Sequence, residues 1–266
     1  MDVSDSIVEG LKVIENIGGV DILFAVEAGS RAWGYASSQS DYDVRFIYKR
    51  NLSWYLNIHE RRDVIEGHKI NDLIECSGWD LKKALFQIHR GNPAFFEWLS
   101  SPIVYSNKKN YIQTIKAFEG KYFNPRSAIY HYLHLAHGNY HRYLEKKNVV
   151  TLKKYIYVIR ALLCCKFIEK RHSMPPVDIS ILIDSLKNDS SIPFNDINYL
   201  IERKMTSENL GDGPIIEILS SWCESMLDHF SKIARTTAKV SNSGDDLNEF
   251  LLLEIIKPLK FGQRGL

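Results

Sequence analysis

Two carboxylates separated by one residue, Asp41 and Asp43, have the clearest potential for chemistry in this sequence. On a β-strand their side chains would project from the same face, about 7 Å apart along the backbone. Like charges that close raise each other's pKa, and a hard divalent cation between them removes that cost. Mg²⁺ accepts carboxylate oxygens and keeps positions open for the phosphates of a substrate. Two such ions can activate an attacking hydroxyl and stabilise a departing pyrophosphate.

A glycine-serine turn lies upstream of the two acids. Gly29-Ser30 follows a continuous apolar run, and ten residues separate Ser30 from Asp41. A glycine there lets backbone N–H groups approach an anion, and the N-terminus of a following helix adds a favourable dipole. The serine hydroxyl can bind a phosphate oxygen, and Arg31 and Arg45 supply nearby positive charge.

Each of these features alone has an ordinary structural explanation. A single D-x-D is most often a solvated strand face, and a Gly-Ser pair is a common turn. The combination of Gly-Ser, ten residues and Asp-x-Asp between two strand-like segments is far more specific. It indicates a site for divalent metal ions and a nucleoside triphosphate.

The elements that would position these residues lie in the first hundred residues, whose pattern predicts an α/β module. They are a helix over 4–16, a buried strand over 20–29, a second strand over 41–49, a third strand or hairpin over 63–76, a helix over 77–91, and a short helix and last strand over 92–106. On the second strand, Asp41, Asp43 and Arg45 alternate with apolar and aromatic residues, which places the acids on one face.

Turn and cap residues predict several boundaries. Gly18-Gly19 would end the first helix, and Glu66-Gly67 would turn the hairpin. Ser77 or Asp80 would cap the helix that Gly91 ends.

Beyond residue 107 the pattern changes to long helical periodicity. We therefore predict an α+β fold: a head with a mixed sheet and helices, residues 1–107, followed by an all-helical domain, residues 108–266. The helix TLKKYIYVIRALL has an apolar stripe and brings Lys153, Tyr157 and Arg160 near one face, with Lys154 beside them.

A histidine-rich helix precedes it in the segment YHYLHLAHGNYHRYLEKK. His137 and His141 could bind a metal as an i, i+4 pair, although a partly buried, hydrogen-bonded helix is the more ordinary explanation. The tyrosines of this segment could also stack on an RNA end or an incoming base.

The segment GSRAWGYASSQSDYDVRFIY resembles the signature of nucleotidyltransferases of the DNA polymerase β superfamily. The segments SGWDLKKAL, GNPAFFEWLSSPIVY and KKYIYVIRALL resemble the RlaP/YcgL-type branch, which is associated with RNA repair. The resemblance covers most of residues 20 to 175. It implies a polymerase-β-like head with a helical domain that binds substrate or nucleotide.

The resemblance also implies roles for individual residues. Gly29 and Ser30 would hold the triphosphate, and Asp41 and Asp43 would bind the metal ions. The helix carrying Lys153, Lys154 and Arg160 would face the active cleft and touch the triphosphate.

A third catalytic carboxylate on a neighbouring strand is also implied, where it helps to deprotonate the acceptor hydroxyl. The position that matches an aspartate of the branch is Glu75, whose side chain is one methylene longer. Asp72 is the other candidate, but on a continuous strand it would lie on the opposite face from Glu75. We therefore favour Glu75 as the third metal ligand.

Bulk composition places the chain among ordinary globular proteins. Hydrophobic residues make up 45% and charged residues 25% of its 266 residues, and the net charge of +2 gives no global polybasic signature. The four cysteines lack C-x-x-C spacing, which favours reduced thiols in the cytoplasm rather than disulfides or zinc. We expect no signal peptide and no membrane span.

These observations predict a Mg²⁺-dependent nucleotidyltransferase, for which Mn²⁺ could substitute. It would transfer a nucleoside monophosphate from ATP or another nucleoside triphosphate to an acceptor hydroxyl and release pyrophosphate. The expected acceptor is an RNA 3′ end, from tRNA or a repaired RNA. Two alternatives remain open: transfer to a protein side chain, as in antitoxin-type members, and a non-catalytic nucleotide or RNA sensor on the same scaffold.

Overall fold

The structure is a computed structural model that describes residues 2–206, 210–238 and 240–256. In these ranges, five strands form a mixed sheet in the order β3-β4-β2-β1-β5. The strands of this sheet are β1 (Asp21–Ala28), β2 (Tyr42–Lys49), β3 (Val64–Asn71), β4 (Ile74–Asp80) and β5 (Val104–Asn107). The mixed-sheet head that the sequence predicts is therefore confirmed.

Helices connect and cover these strands. In the head they are α1 (Val3–Gly18), α2 (Gly29–Ala32), α3 (Leu52–Tyr55), α4 (Leu81–His89) and α5 (Pro93–Leu99). The helices that follow are α6 (Tyr111–Lys116), α7 (Glu119–Tyr122), α8 (Pro125–Tyr143), α9 (Leu152–Arg171), α10 (Ile179–Leu186), α11 (Phe194–Thr206), α12 (Glu217–Thr236) and α13 (Asp245–Ile256). The second part of the chain is thus helical, as predicted.

A short antiparallel ribbon interrupts these helices, and the sequence pattern did not predict it. Its strands are β6 (Val149–Thr151) and β7 (Asp212–Pro214). Three-residue strands are too short to produce a recognisable alternation, so only the tertiary pairing defines them.

The two faces of the sheet are covered by different elements. Val44, Phe46 and Tyr48 of β2 are buried in one cluster with the apolar face of α1. Ile47 is buried in the other cluster, with helices of both parts of the chain. This alternation leaves Asp43 and Arg45 on the face of the sheet that the helical part covers.

The division of the chain at residue 107 stays a prediction. Residue 107 is the last residue of β5. The larger core cluster is continuous across this point, because it contains Val26 of β1, Leu85 of α4, Tyr132 of α8 and Ile156 of α9. The helical part therefore packs directly on the head, and the last ten residues of the predicted second domain lie outside the described residues.

The predicted hairpin turn at Glu66-Gly67 was wrong. The chain reverses between Asn71 and Ile74, where the Asn71 side chain accepts a hydrogen bond of 2.9 Å from the Leu73 N–H. Gly67 has a φ of +67° and lies inside β3, where the pairing with β4 is irregular. A glycine in a strand pattern can mark a bulge as well as a turn, and here the bulge is what formed.

This hairpin resolves one alternative and leaves another open. Ser77 lies within β4, and Asp80 is the N-cap of α4, where its Oδ1 accepts a hydrogen bond of 2.9 Å from the Lys82 N–H. Asp72 lies in the turn rather than on a strand, so the face argument against it does not apply. The preference for Glu75 over Asp72 therefore stays a prediction.

The remaining boundaries agree closely with the sequence. Gly19 adopts a left-handed conformation as the C-cap of α1, and the four cysteines are buried with free thiols. No helix within the described ranges is long and apolar enough to span a lipid bilayer.

Candidate active site

The glycine-serine turn and the acidic strand meet because β1 and β2 are antiparallel neighbours. Ala28, the last residue of β1, is the register partner of Asp43. Gly29 follows with a φ of +61°, and a Cβ atom built on it would lie 2.1 Å from Oδ2 of Asp43. Only glycine can occupy this position without displacing the carboxylate.

A small polar cavity of about 100 Å³ lies beside this turn. Its lining residues are Ser30, Gln39, Ser40, Asp41, Asp43, Lys153, Lys204 and Leu210. The fold thus brings together four residues that the sequence predicts for the site, Ser30, Asp41, Asp43 and Lys153. They come from three segments, and α9 supplies the lysine more than a hundred residues downstream.

The two acids of this cavity differ in their surroundings. Asp41 is exposed and immediately precedes β2, whereas Asp43 lies on the strand and is partly buried. Burial raises the pKa of Asp43; Arg45, at 3.5 Å, lowers it, and the charges of Asp41 and Glu75 raise it further. The net shift of the Asp43 pKa is upward, and burial is its main cause.

Glu27 is a residue of the site that the sequence did not identify. Its side chain is fully buried, and its Oε1 accepts a hydrogen bond of 2.7 Å from the Asp43 N–H. The Tyr105 hydroxyl donates to its other oxygen at 2.5 Å. Burial raises the pKa of Glu27 above its ordinary value. Glu27 thereby holds the backbone at Asp43, and no pattern could have found it inside an apolar run.

Lys204 is a second residue that the sequence missed. It comes from α11, is 4% exposed, and donates from Nζ to the hydroxyls of Ser37 at 2.9 Å and Ser40 at 3.4 Å. Burial lowers the pKa of Lys204, and the positive charges of Lys153 and Arg31 lower it further. Its placement depends on helix packing, so no local sequence signal points to it.

The two arginines near the turn have partners within the protein. Arg31 donates to the carbonyl oxygens of Ser40 at 2.6 Å and Asp41 at 3.2 Å, and its guanidinium lies 3.6 Å from the ring centre of Tyr42. It therefore braces the loop between the Gly-Ser turn and β2. Arg45 pairs with Asp43. The nucleotide-binding roles of both arginines stay predictions.

A larger cavity of about 430 Å³ adjoins the same turn and also has Asp43 in its lining. It is richer in aromatic side chains, and its lining includes Glu27, Gly29, Trp33, Trp98, His131, Lys154, Tyr157 and Arg160. Lys153 lines the small cavity and Lys154 the larger one, so the start of α9 borders both.

Arg160 forms an ion pair with the partly buried carboxylate of Glu97. It is 4% exposed and donates to Glu97 at 3.0 Å and to the Val177 carbonyl at 3.1 Å. Glu97 also accepts hydrogen bonds from the Trp33 indole at 3.1 Å and the Tyr132 hydroxyl at 2.7 Å. Arg160 thus lines the larger cavity mainly as part of a structural network, and contact with a triphosphate stays a prediction.

The third predicted carboxylate, Glu75, is the register partner of Asp43 on β4 and is exposed. Within the described ranges no three His, Cys, Asp or Glu side chains converge as a preformed metal site. Asp41 and Asp43 nevertheless fit Mg²⁺, because this ion commonly takes one or two carboxylates and completes its shell with water and phosphate oxygens. His137 and His141 stack with ring centres 5.3 Å apart, and His141 contacts Glu145.

The two adjoining cavities suit a ligand with unlike ends. The small one presents ammonium groups and a serine hydroxyl, which bind phosphate oxygens. The larger one presents aromatic faces, on which a planar ring can stack. Asp43 lies where the two meet.

Comparison with known proteins identifies the family of this chain. Residues 3–253 match the RNA repair pathway DNA polymerase beta family, RlaP. The uncharacterized protein YcgL of Bacillus subtilis (strain 168) is 37% identical over 257 residues, which are 96% of this chain and 98% of that protein. A crystal structure of a nucleotidyltransferase-like protein from Exiguobacterium sibiricum 255-15 aligns with 86% of this chain and 75% of its own, at 13% identity and a TM-score of 0.31. The chain therefore belongs to RlaP, the RNA repair pathway DNA polymerase beta family.

Proposed function

We propose that the protein is a Mg²⁺-dependent nucleotidyltransferase that transfers a nucleoside monophosphate from a nucleoside triphosphate to the 3′ hydroxyl of an RNA and releases pyrophosphate. The observation that carries this proposal is the close approach of the Gly29 turn to Asp43, where a polar cavity lined by two lysines and two carboxylates meets an aromatic one. Family membership supports the same reaction class.

The contrast between the two cavities supports a separate location for each end of the substrate. The triphosphate would lie in the small cavity, against the Ser30 hydroxyl and the ammonium groups of Lys153 and Lys204. The nucleoside would lie in the larger cavity, beside Trp33 and Tyr157. The bond that is broken would then fall at Asp43, because this residue borders both cavities.

Asp41 and Asp43 would hold the metal ion, with Glu75 on the adjacent strand as the third carboxylate. Bound Mg²⁺ would neutralise phosphate charge and favour ionisation of the attacking hydroxyl; Mn²⁺ suits the same oxygen ligands. Glu27 keeps Asp43 in place through its backbone N–H.

The remaining chemistry is positioning and charge compensation, which dominate catalysis of phosphoryl transfer. The Glu75 carboxylate, on the strand beside Asp43, would accept the proton of the acceptor hydroxyl. Lys153 and Lys204 would offset the negative charge that develops on the departing pyrophosphate.

The decisive test is the double change Asp41→Asn/Asp43→Asn. We expect transfer to fall by about three orders of magnitude or more, because several kcal/mol of transition-state stabilisation is lost. The fold should persist, and its thermal midpoint should rise since the repulsion between the acids is gone. Mg²⁺-dependent labelling of cellular RNA with each of the four nucleoside triphosphates measures the activity.

The control is Asp184→Asn/Asp228→Asn, which removes two exposed carboxylates that pair with lysines on the surface. This variant should transfer normally. Full activity of the Asp41/Asp43 variant would end the metal-ligand assignment. Label that appears on a protein mixture rather than on tRNA would instead support a protein acceptor. Nucleotide binding without turnover by the parent protein would favour a sensor.

A further inference from the structure

A concentration of positive charge lies between the end of α8 and the first turn of α9. Residues 142–154 contain five basic residues and one acid, whereas the whole chain has a net charge of only +2. We call Arg142, Tyr143, Lys146, Lys147 and Lys154 the basic ridge. Arg142, Lys146 and Lys147 are exposed, and Tyr143 is partly buried.

Cations surround the single aromatic ring of the basic ridge. The charged groups of Arg142, Lys147 and Lys154 lie 5.3, 5.9 and 4.5 Å from the ring centre of Tyr143. Lys154 also lies 5.0 Å from the ring centre of Tyr157. Because Lys154 and Tyr157 line the larger cavity, the basic ridge continues directly outward from it.

The cations of the basic ridge have no carboxylate at ion-pair distance in the part of the chain that the structure describes. Other exposed lysines do: Lys12, Lys187 and Lys232 each pair with an acid one turn away on the surface. Glu145, the acid within the segment, contacts His141 instead.

The start of α9 adds to this excess of positive charge. Lys153 and Lys154 lie in its first turn, which contains no acid, and the Thr151 side chain does not cap it. Positive charge at a helix N-terminus opposes the helix dipole. An anionic ligand that binds along this edge would remove that unfavourable interaction.

We propose that the basic ridge binds the single-stranded segment of the acceptor RNA just upstream of its 3′ end. This inference rests on the proposed function and names its acceptor. Cations around an aromatic ring match a chain of phosphates and bases, because the cations bind the backbone and the ring stacks on a base. The path from Tyr143 to Lys154 leads the RNA end to the edge of the larger cavity, next to the nucleoside that would lie against Trp33 and Tyr157.

The test uses the full chain and a mixed-sequence 12-nucleotide RNA with a free 3′ hydroxyl. The variant Arg142→Gln/Lys146→Gln/Lys147→Gln should bind this RNA roughly tenfold or more weakly at 0.1 M salt. The slope of log affinity against log salt should become shallower by about 2, since each lost phosphate contact to single strands contributes about 0.7. Its affinity for nucleoside triphosphate should not change, because these three residues do not line either cavity.

The control Lys12→Gln/Lys187→Gln/Lys232→Gln makes the same change in net charge. It should leave both RNA affinity and the salt slope at the parent values. A second variant, Tyr143→Leu, should weaken RNA binding roughly fivefold or more through lost stacking, with the salt slope unchanged.

The inference is overturned if the control loses as much RNA affinity as the ridge variant, or if the ridge variant keeps the parent affinity and slope. It is also overturned if the parent binds no RNA and labels a protein. Failure of the proposed function has a different signature: RNA binding follows the predictions, but the parent transfers no nucleotide to any acceptor.

Discussion

Gly29 and Asp43 approach each other so closely that each limits what can occupy the other position. The left-handed backbone at Gly29 already disfavours other residues, and Oδ2 of Asp43 fills the space that a Cβ atom would need. The glycine of the Gly-Ser pair is therefore required by the acid, and not only by the turn.

Changing Gly29→Ala should abolish nucleotide transfer while the protein still folds. The added methyl group must displace the Asp43 carboxylate and strain the turn, at a cost of about 1–3 kcal/mol in stability. Transfer assays and thermal unfolding check this. The comparison variant is Gly120→Ala, where a Cβ atom would meet no other group within 4 Å. Normal transfer by Gly29→Ala would show that Asp43 need not hold its observed position.

Lys204 is a buried cation whose hydrogen-bond partners, among the residues that the structure describes, are neutral hydroxyl groups. Burying an ammonium group without a counter-charge costs free energy. The polyphosphate that we place in the small cavity would supply that charge. This explains why α11 presents a lysine among the serines of the loop between the Gly-Ser turn and β2.

Changing Lys204→Met should raise the thermal midpoint of the free protein and weaken pyrophosphate binding roughly tenfold or more, because a charge-assisted hydrogen bond is lost. Titration calorimetry with pyrophosphate and with a nucleoside monophosphate measures the selectivity of the loss. Lys166→Met provides the contrast: Lys166 is also buried but pairs with Asp189 at 2.9 Å, so its loss should lower the midpoint and leave pyrophosphate binding unchanged. Identical behaviour of the two variants would contradict the assignment.

At the scale of elements, β2 and α4 show how capping and alternation set the geometry. Alternation along β2 places Asp43 on one face and buries Phe46 on the other. Helix α4 begins after a buried N-cap, Asp80, which also accepts a hydrogen bond of 2.8 Å from the Tyr55 hydroxyl. Burial raises the pKa of Asp80 to about 6, although its hydrogen bonds from Tyr55 and Lys82 oppose the shift.

This shift predicts a specific pH dependence of stability. An acid whose pKa is higher in the folded than in the unfolded protein stabilises the fold fully below about pH 4, and that contribution is lost as the pH rises through about 6. The loss is of the order of 3 kcal/mol. Asp80→Asn keeps a capping side chain but removes the titration, so its urea stability should fall less between pH 5 and pH 8 than that of the parent. Parallel pH profiles of the two proteins would contradict this explanation.

At the scale of the whole molecule, Glu97 joins the head to the helical part. One carboxylate on α5 binds Trp33 beside α2, Tyr132 on α8 and Arg160 on α9. The Glu97 side chain therefore links three segments that line the larger cavity.

Removing that carboxylate should be costly. We expect Glu97→Ala to lower the free energy of unfolding by about 3–5 kcal/mol, because the buried Arg160 is left without its partner. Urea unfolding followed by fluorescence measures the change. The double variant Glu97→Ala/Arg160→Met should recover part of the loss, since it removes the unpaired charge. A double variant that is less stable than Glu97→Ala would show that the pair is not the source of the effect.

The sequence by itself determined the elements that hold the Gly-Ser turn and Asp41/Asp43, and it predicted the chemistry of these residues. Alternation and helical periodicity are local properties, and the spacing of the motif lies within one strand–helix–strand unit. The predicted position of the hairpin turn was wrong, because Gly67 permits a bulge as readily as a turn.

Only the tertiary structure decided which distant residues complete the site. Lys204 is 167 residues away from Ser37 along the chain, and Glu27 is hidden in a strand that is apolar around it. Their positions follow from how the helices pack on the sheet and how β1 pairs with β2. Those contacts join segments far apart in sequence, so no local pattern carries them.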